Sequence, residues 1–251
     1  MTRDLFFTPE GEKLVQQPIV SAPPPVRKET VKPQKKETAK AQTIPNIVTT
    51  TTTEELFPAV VYFDNGAPNY KMHPNTTYES TFKQYLTRKP RFVEGYARGL
   101  EGSARTNAKN EAAMFFDEEI TTGYYGLVDL SDFILTILQE GDKVELKVEG
   151  YSSPVANSKV NEALAKRRIK TVMNHFKYYK KGVFRPYLGD ELFIKMAPYG
   201  ETKASANISD NAKDRRSSVY SPSASKERRV EVTGVRIRAN DGSVTTSSSE
   251  D

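Results

Sequence analysis

The sequence predicts an α+β fold in which helices pack on one face of a mixed sheet. Apolar Val144, Leu146 and Val148 alternate with charged residues, as in a half-buried strand. Apolar residues recur at helical spacing from about Ser158 to Tyr178, which indicates an amphipathic helix. Two helical crossovers separate the first three predicted strands, and this arrangement favours an α+β sandwich.

The predicted strands are short stretches rich in β-branched and aromatic residues, bounded by turn residues. The last strand changes the phase of its alternation at Gly234, which predicts a β-bulge there. The four strands are expected at residues 59–63, 142–153, 191–200 and 228–238.

An enlarged first crossover, residues 69–140, separates the first two strands and is expected to be helical. Its first helix should break before Pro90, and a second should cover residues 106–120. A third helix is expected from residue 129, capped by Asp129 or Ser131.

Composition divides the chain into a tether, a folded domain and a tail. Residues 1–57 form a tether rich in Pro, Thr and Lys, with six of the fifteen prolines between Pro18 and Pro45. Residues 58–238 form the domain, and residues 239–251 form a frayed tail. No stretch approaches the roughly 18 apolar residues that a membrane span needs, so no transmembrane segment is expected in this chain.

The composition argues against an enzyme. The chain has no cysteine and only two histidines, His73 and His175, neither with a recognisable partner in the sequence. We therefore expect no metal site, no cofactor and no catalytic triad. The net charge is +5, with basic clusters late in the chain, but acidic residues interrupt them and nucleic-acid binding is not expected.

One charged residue, Arg168, falls inside the apolar stripe of the predicted helix at 158–178. At ~100° per residue, Arg168 and Asn161 project from the middle of that stripe. Its apolar members are Val160, Leu164, Val172 and Phe176. A buried, unpaired guanidinium is costly, so Arg168 should have a carboxylate partner or lie at the mouth of a pocket. The first alternative is an internal salt bridge, and the second is recognition of an anion.

The residues before this helix favour a negatively charged ligand. They form a strand end and a polar loop, which lead into a helix N-terminus where backbone N–H groups and the helix dipole attract negative charge. Together with Asn161 and Arg168, this loop is a candidate site for a ligand carboxylate.

Three stretches resemble the C-terminal domain of the OmpA/MotB family. Gly150–Ser153 reads GYSS and Asn161–Ile169 reads NEALAKRRI, similar to the family's Gly-Tyr-Thr-Asp and Asn-x-x-Leu-Ser-x-x-Arg-Ala at the same spacing. Glu227–Val232 reads ERRVEV, similar to Asn-Arg-Arg-Val-Glu in the family's final strand. The resemblance covers roughly residues 58–238 and implies the family's βαβαββ sandwich.

The resemblance implies binding of peptidoglycan. In the family, the arginine at the position of Arg168 grips a carboxylate of diaminopimelate, and the aspartate of Gly-Tyr-Thr-Asp receives its ammonium group. This chain has Ser153 at the position of that aspartate. The loss of a charged hydrogen bond costs about 1.5–3 kcal/mol, so binding should be weak unless Asp64 compensates. The implied ligand-binding residues are Arg168, Asn161, Ser152, Ser153, Asp64 and Asn65.

The resemblance also implies a location and two functions. Stretches such as VYFDNGAPN resemble a divergent branch that closes large Gram-negative envelope proteins involved in gliding motility and secretion, so this chain is expected to be part of a longer polypeptide. It would then be a periplasmic, outer-membrane-associated anchor that binds peptidoglycan through Arg168. The alternative is a scaffold that has lost this ligand and binds a protein partner within an envelope complex.

Overall fold

The structure, a computed structural model, describes residues 52–53 and 59–238. It has the predicted α+β class, with a mixed sheet and helices. The remaining parts of the predicted tether and tail lie outside the described residues.

Five strands of the described residues form one sheet, and all four predicted strands are among them. The central strand β5 pairs antiparallel with β3 on one side and with β1 and β2 on the other, whereas β4 pairs parallel with β3. The carboxyl ends of β2, β3 and β4 therefore lie at the same end of the sheet. The bounds are β1 Thr52–Thr53, β2 Ala59–Tyr62, β3 Lys143–Tyr151, β4 Leu192–Gly200 and β5 Arg229–Arg238.

The predicted β-bulge in β5 is confirmed. Lys147 lies opposite Gly234, whereas the next residue, Val148, lies opposite Val232. Thr233 is therefore the extra residue, and its insertion restores Val232 to the face that Val148 occupies.

Six α-helices are described, together with shorter helical segments of other types. The α-helices are α1 Tyr78–Leu86, α2 Lys89–Tyr96, α3 Gly102–Met114, α4 Thr121–Gln139, α5 Ser158–Tyr178 and α6 Pro222–Lys226. The other segments are π-helical at Phe115–Ile120 and Arg216–Tyr220, and 3₁₀-helical at Tyr179–Lys181.

The predicted break before α4 is wrong. The π-helical segment Phe115–Ile120 joins α3 directly to α4, which begins at Thr121 rather than near residue 129. Asp129 and Ser131 are therefore interior residues and cannot cap the helix. The Ser131 hydroxyl instead donates to the carbonyl oxygen of Leu127 at 2.7 Å.

Two glycines allow helices to lie close to strands. A Cβ atom on Gly123 of α4 would collide with the carbonyl oxygen of Val60 in β2. A Cβ atom on Gly150 of β3 would lie 2.9 Å from the carbonyl oxygen of Ala165 and from the Ile169 side chain, both in α5. Real Cβ atoms essentially never approach so closely, so the two contacts require glycine.

The core lies between one face of the sheet and helices α4 and α5. Its members from β3 and these two helices are Val144, Leu146, Val148, Leu127, Leu130, Ile134, Ile169, Val172 and Phe176. The opposite face of the sheet carries charged side chains, and Lys195 Nζ lies 2.7 Å from Glu145 Oε1 there. Both long helices therefore cover the apolar face of the sheet.

Candidate functional site

The loop between β3 and α5 is fixed to the start of the helix. Asn157 caps α5, because its side-chain oxygen accepts a hydrogen bond from the Val160 backbone N–H at 3.0 Å. Asn161 is buried, and its side-chain amide donates to the carbonyl oxygen of Ala156 at 2.8 Å. The Ser152 hydroxyl donates to the Asn161 carbonyl at 3.1 Å. Asn161 thus points inward as predicted, and it holds this loop.

Arg168 points into the core, as its place in the stripe predicts. Its side chain is 0% exposed, and its guanidinium carbon lies 5.4 Å from the centre of the Phe63 ring. Leu164 and Val172 are buried on the same face of α5, but Val160 is 47% exposed. The assignment of Val160 to the buried stripe was wrong, because residues 158–160 at the start of α5 are exposed and burial begins at Asn161.

The guanidinium of Arg168 joins the end of β3 to the residues after β2. Nη1 donates to the Tyr151 carbonyl at 2.6 Å and to the Ser152 hydroxyl at 3.3 Å. Nε donates to the Ala67 carbonyl at 3.0 Å, and Nη2 to the Asp64 carbonyl at 3.5 Å. Every one of these acceptors is uncharged.

The expected carboxylate partner of Arg168 is not found: within the described residues, Arg168 forms no ion pair, although Asp64 is close in the fold. The Asp64 carboxylate instead accepts a hydrogen bond from the Asn65 backbone N–H at 2.6 Å. Burial, with a smaller contribution from the charge of Arg228, holds the pKa of Arg168 well below its usual range. The carbonyl oxygens therefore replace the solvation that burial removes.

Three arginines hold the segment that follows β2, Phe63–Pro68, which we call the β2 loop. Arg228 Nε donates to the carbonyl oxygen of Phe63 at 3.4 Å. Arg167 Nε donates to that of Pro68 at 3.0 Å, and Arg168 binds two carbonyls between them. Both ends and the middle of the β2 loop are thus fixed through main-chain oxygens.

A pocket of about 400 Å³ lies between the β2 loop and α1. Asp64 and Asn65 line it, together with Tyr85 and Arg88. Arg168 does not line this pocket, and its side chain is fully buried rather than placed at a pocket mouth as expected.

The six predicted site residues divide into two groups. Arg168, Asn161 and Ser152 are joined by hydrogen bonds in the interior, where Ser153 is also buried. The two from the β2 loop, Asp64 and Asn65, line the pocket.

A second buried arginine, Arg228, was missed from the sequence. It is 0% exposed, and its Nη2 donates to the Val219 carbonyl at 2.9 Å and to the Ser225 hydroxyl at 2.5 Å. Strand alternation could have predicted its burial, because Arg228 precedes the inward-facing Val230 by two residues. Its neighbour Arg229 pairs with acidic side chains instead.

Metal sites and membrane-spanning helices are not found in residues 52–53 and 59–238. No group of three side chains there is placed to hold a metal ion, and no helix there is long and apolar enough to cross a membrane. Comparisons of the chain with protein-family models, with curated proteins and with solved structures found no match.

Proposed function

We propose that this chain is a non-catalytic, OmpA-like domain of a periplasmic, outer-membrane-associated assembly. The order of its elements supports the proposal. Setting aside the short β1 and the short helical segments between β4 and β5, the chain runs from β2 through a helical crossover to β3, then through α5 to β4 and β5. This is the βαβαββ order that the resemblance implies, with an enlarged first crossover.

One observation carries the proposal: the stretches that resemble the family converge at one place in the fold. The end of β3 at Tyr151–Ser152 binds Arg168, and Arg228 binds the β2 loop that Arg168 also holds. Residues widely separated in the sequence thus form one hydrogen-bonded junction, as expected if the motifs are parts of a single ancestral site.

The geometry favours the scaffold function over direct binding to the cell wall. Each nitrogen of the Arg168 guanidinium already donates to the protein, and the side chain is fully buried. Ser153 provides no negative charge for an ammonium group. We therefore propose that the domain binds a protein partner in a secretion or motility machine and that its affinity for peptidoglycan is weak or lost.

Wall anchoring through Arg168 is the second candidate, favoured by the position of this arginine beside the Gly150–Ser153 motif. A ligand carboxylate could reach Arg168 only after the β2 loop had moved. The exchange is chemically reasonable, because a bidentate carboxylate binds a guanidinium more strongly than carbonyl oxygens do.

Sedimentation with purified sacculi separates the two functions. The wild type is compared with Arg168→Lys, Ser153→Asp and the control Lys166→Ala, which removes an exposed charge from the same helix. The scaffold function predicts that the wild type stays in the supernatant and that pull-down from an envelope extract recovers a protein. If the wild type and Lys166→Ala pellet but a folded Arg168→Lys variant does not, the domain is a wall anchor.

A further inference from the structure

Two arginines converge on the hydroxyl group of one tyrosine. Arg91 Nε donates to the Tyr220 hydroxyl oxygen at 3.2 Å, and Arg215 Nη2 donates to the same oxygen at 3.3 Å. Each guanidinium also lies near the Tyr220 ring, with its carbon 6.0 Å from the ring centre for Arg91 and 5.5 Å for Arg215. Arg91 and Tyr220 are 129 residues apart in the sequence, so the fold brings two positive charges to one uncharged oxygen.

The Tyr220 ring is held in place by packing against α2. It is 8% exposed, and its centre lies 5.4 Å from that of the Phe92 ring in an edge-to-face contact. A Cβ atom on Gly95 would lie 2.5 Å from the Tyr220 ring, so the ring lies directly on the helix, one turn after Arg91. This packing fixes the hydroxyl without help from the two arginines.

Most of the hydrogen-bonding capacity of these three side chains is unused within the described residues. Arg91 and Arg215 are exposed, and each side chain donates only to Tyr220. The Tyr220 hydroxyl accepts these two bonds, and its own proton has no acceptor in the part of the chain that the structure describes. A guanidinium carries several N–H donors and a tyrosine hydroxyl carries one. Free donors therefore meet at the protein surface, where a ligand needs no internal cavity.

Among the described residues, no carboxylate forms an ion pair with either arginine. Asp214 precedes Arg215, but its carboxylate accepts a hydrogen bond from a backbone N–H at 3.2 Å. The bond to Tyr220 is the largest cause of the raised pKa of Arg91, and the charge of Asp64 is the smallest. Burial raises the pKa of Tyr220, but the hydrogen bonds and charges of Arg215 and Arg91 together outweigh it and lower this pKa. The place is therefore electrically positive.

We propose that Arg91, Arg215 and the Tyr220 hydroxyl form a surface site for a phosphate group. The planar fork of N–H donors on arginine matches phosphate oxygens, and clusters of arginines recognise phosphorylated groups. Two guanidinium groups favour a doubly charged phosphate over a singly charged carboxylate. Soluble phosphate compounds and phospholipid headgroups share this chemistry, and experiment separates the two sources. The inference is independent of the function proposed above.

Titration with inorganic phosphate, followed by nuclear magnetic resonance, tests the site. Sodium chloride is reduced as sodium phosphate is added, so that the ionic strength stays constant. The Nε–H signals of Arg91 and Arg215 should shift and saturate. Sodium acetate, titrated in the same way, should bind more weakly. The absence of a saturable shift with phosphate, or an equal affinity for acetate, would overturn the proposal.

Three variants remove donors from the site. Arg91→Gln and Arg215→Gln change exposed side chains, and Tyr220→Phe keeps the buried ring. Each should weaken phosphate binding about ten-fold, measured by the backbone amide signals of residues 216–220. Arg98→Gln is the matched control, because it removes the same charge from an exposed arginine just beyond α2 and should keep the affinity. Equal weakening in Arg98→Gln and Arg91→Gln would contradict a specific site.

Vesicles distinguish the two sources of phosphate. Phosphatidylcholine vesicles that contain phosphatidic acid display a phosphate monoester at their surface. If the wild type sediments with them and Arg91→Gln does not, the site is confirmed and its phosphate belongs to a lipid headgroup. If inorganic phosphate binds but the vesicles do not retain the protein, the site is confirmed for a soluble phosphate compound.

Discussion

Arg168 and Ala67 are 101 residues apart in the sequence, yet Nε of the arginine donates to the Ala67 carbonyl at 3.0 Å. The bond connects the middle of α5 with the β2 loop. Because the same guanidinium also binds the end of β3, one side chain fixes the relative positions of three elements. Its role in the fold can be separated experimentally from any role in ligand binding.

Replacement of Arg168 should loosen the β2 loop. Arg168→Ala removes donors from three buried or partly buried carbonyls, so the free energy of unfolding should fall by about 2–4 kcal/mol. Amide hydrogen exchange should also accelerate in residues 63–68. Urea unfolding and exchange mass spectrometry measure the two effects.

Lys166→Ala is the control for that change. Lys166 is exposed and pairs with Glu162 at 2.5 Å on the surface of the same helix. Its removal should change stability by less than about 0.5 kcal/mol. If Arg168→Ala is equally harmless, the guanidinium does not hold the loop.

The stability of the fold should depend on the protonation of His175. Burial lowers the pKa of His175 to about 4, from 6.5. Between these values the unfolded chain binds the proton and the folded chain does not, so stability is complete above pH 6.5 and falls as the pH decreases towards 4. The loss assigned to this residue at pH 5 is about 2 kcal/mol.

The two histidines of the chain permit a clean comparison by urea unfolding at pH 7 and pH 5. His175→Gln should remove the assigned part of the pH dependence, although it also disturbs the contact of Nε2 with the Ser131 hydroxyl at 3.1 Å. His73→Gln changes an exposed histidine and should leave the dependence intact. The same pH dependence in wild type and His175→Gln would contradict the assignment.

Two glycines of α4 should respond to alanine with opposite signs. Gly123→Ala pushes a methyl group into the main chain of Val60 and should destabilise the fold by about 1–3 kcal/mol. Gly126→Ala meets no atom within 4 Å and should stabilise it by up to about 1 kcal/mol, since alanine is the better helix former. Thermal unfolding measures both, and equal effects would show that α4 does not lie close against β2.

The regular parts of the fold could be predicted because their signals are local. The apolar period of α5 predicted a helix from about Ser158 to Tyr178, as observed, and the change of phase near Gly234 predicted the β-bulge. Residues 121–128, between two predicted helices, were not predicted to be helical, and the two glycines there are weak helix formers. Gly123 is needed there for the approach of a distant strand, which local propensity does not encode.

The candidate site could be predicted only in part. Helical period placed Arg168 and Asn161 inward, and both are buried. The partners of Arg168 could not be found, because a main-chain carbonyl is present in every residue and leaves no mark in the sequence. The charge of Arg168 therefore predicted a carboxylate partner, whereas in the structure Arg168 donates to carbonyl oxygens of the β2 loop.

The three arginines hold the β2 loop through its main-chain oxygens. These bonds therefore do not depend on which side chains the loop carries. Substitutions at exposed positions such as Asn65 leave every arginine–carbonyl bond intact. The loop can therefore change its chemical character over evolution without losing its anchorage. The same property makes it a suitable place to graft a short recognition sequence onto this domain.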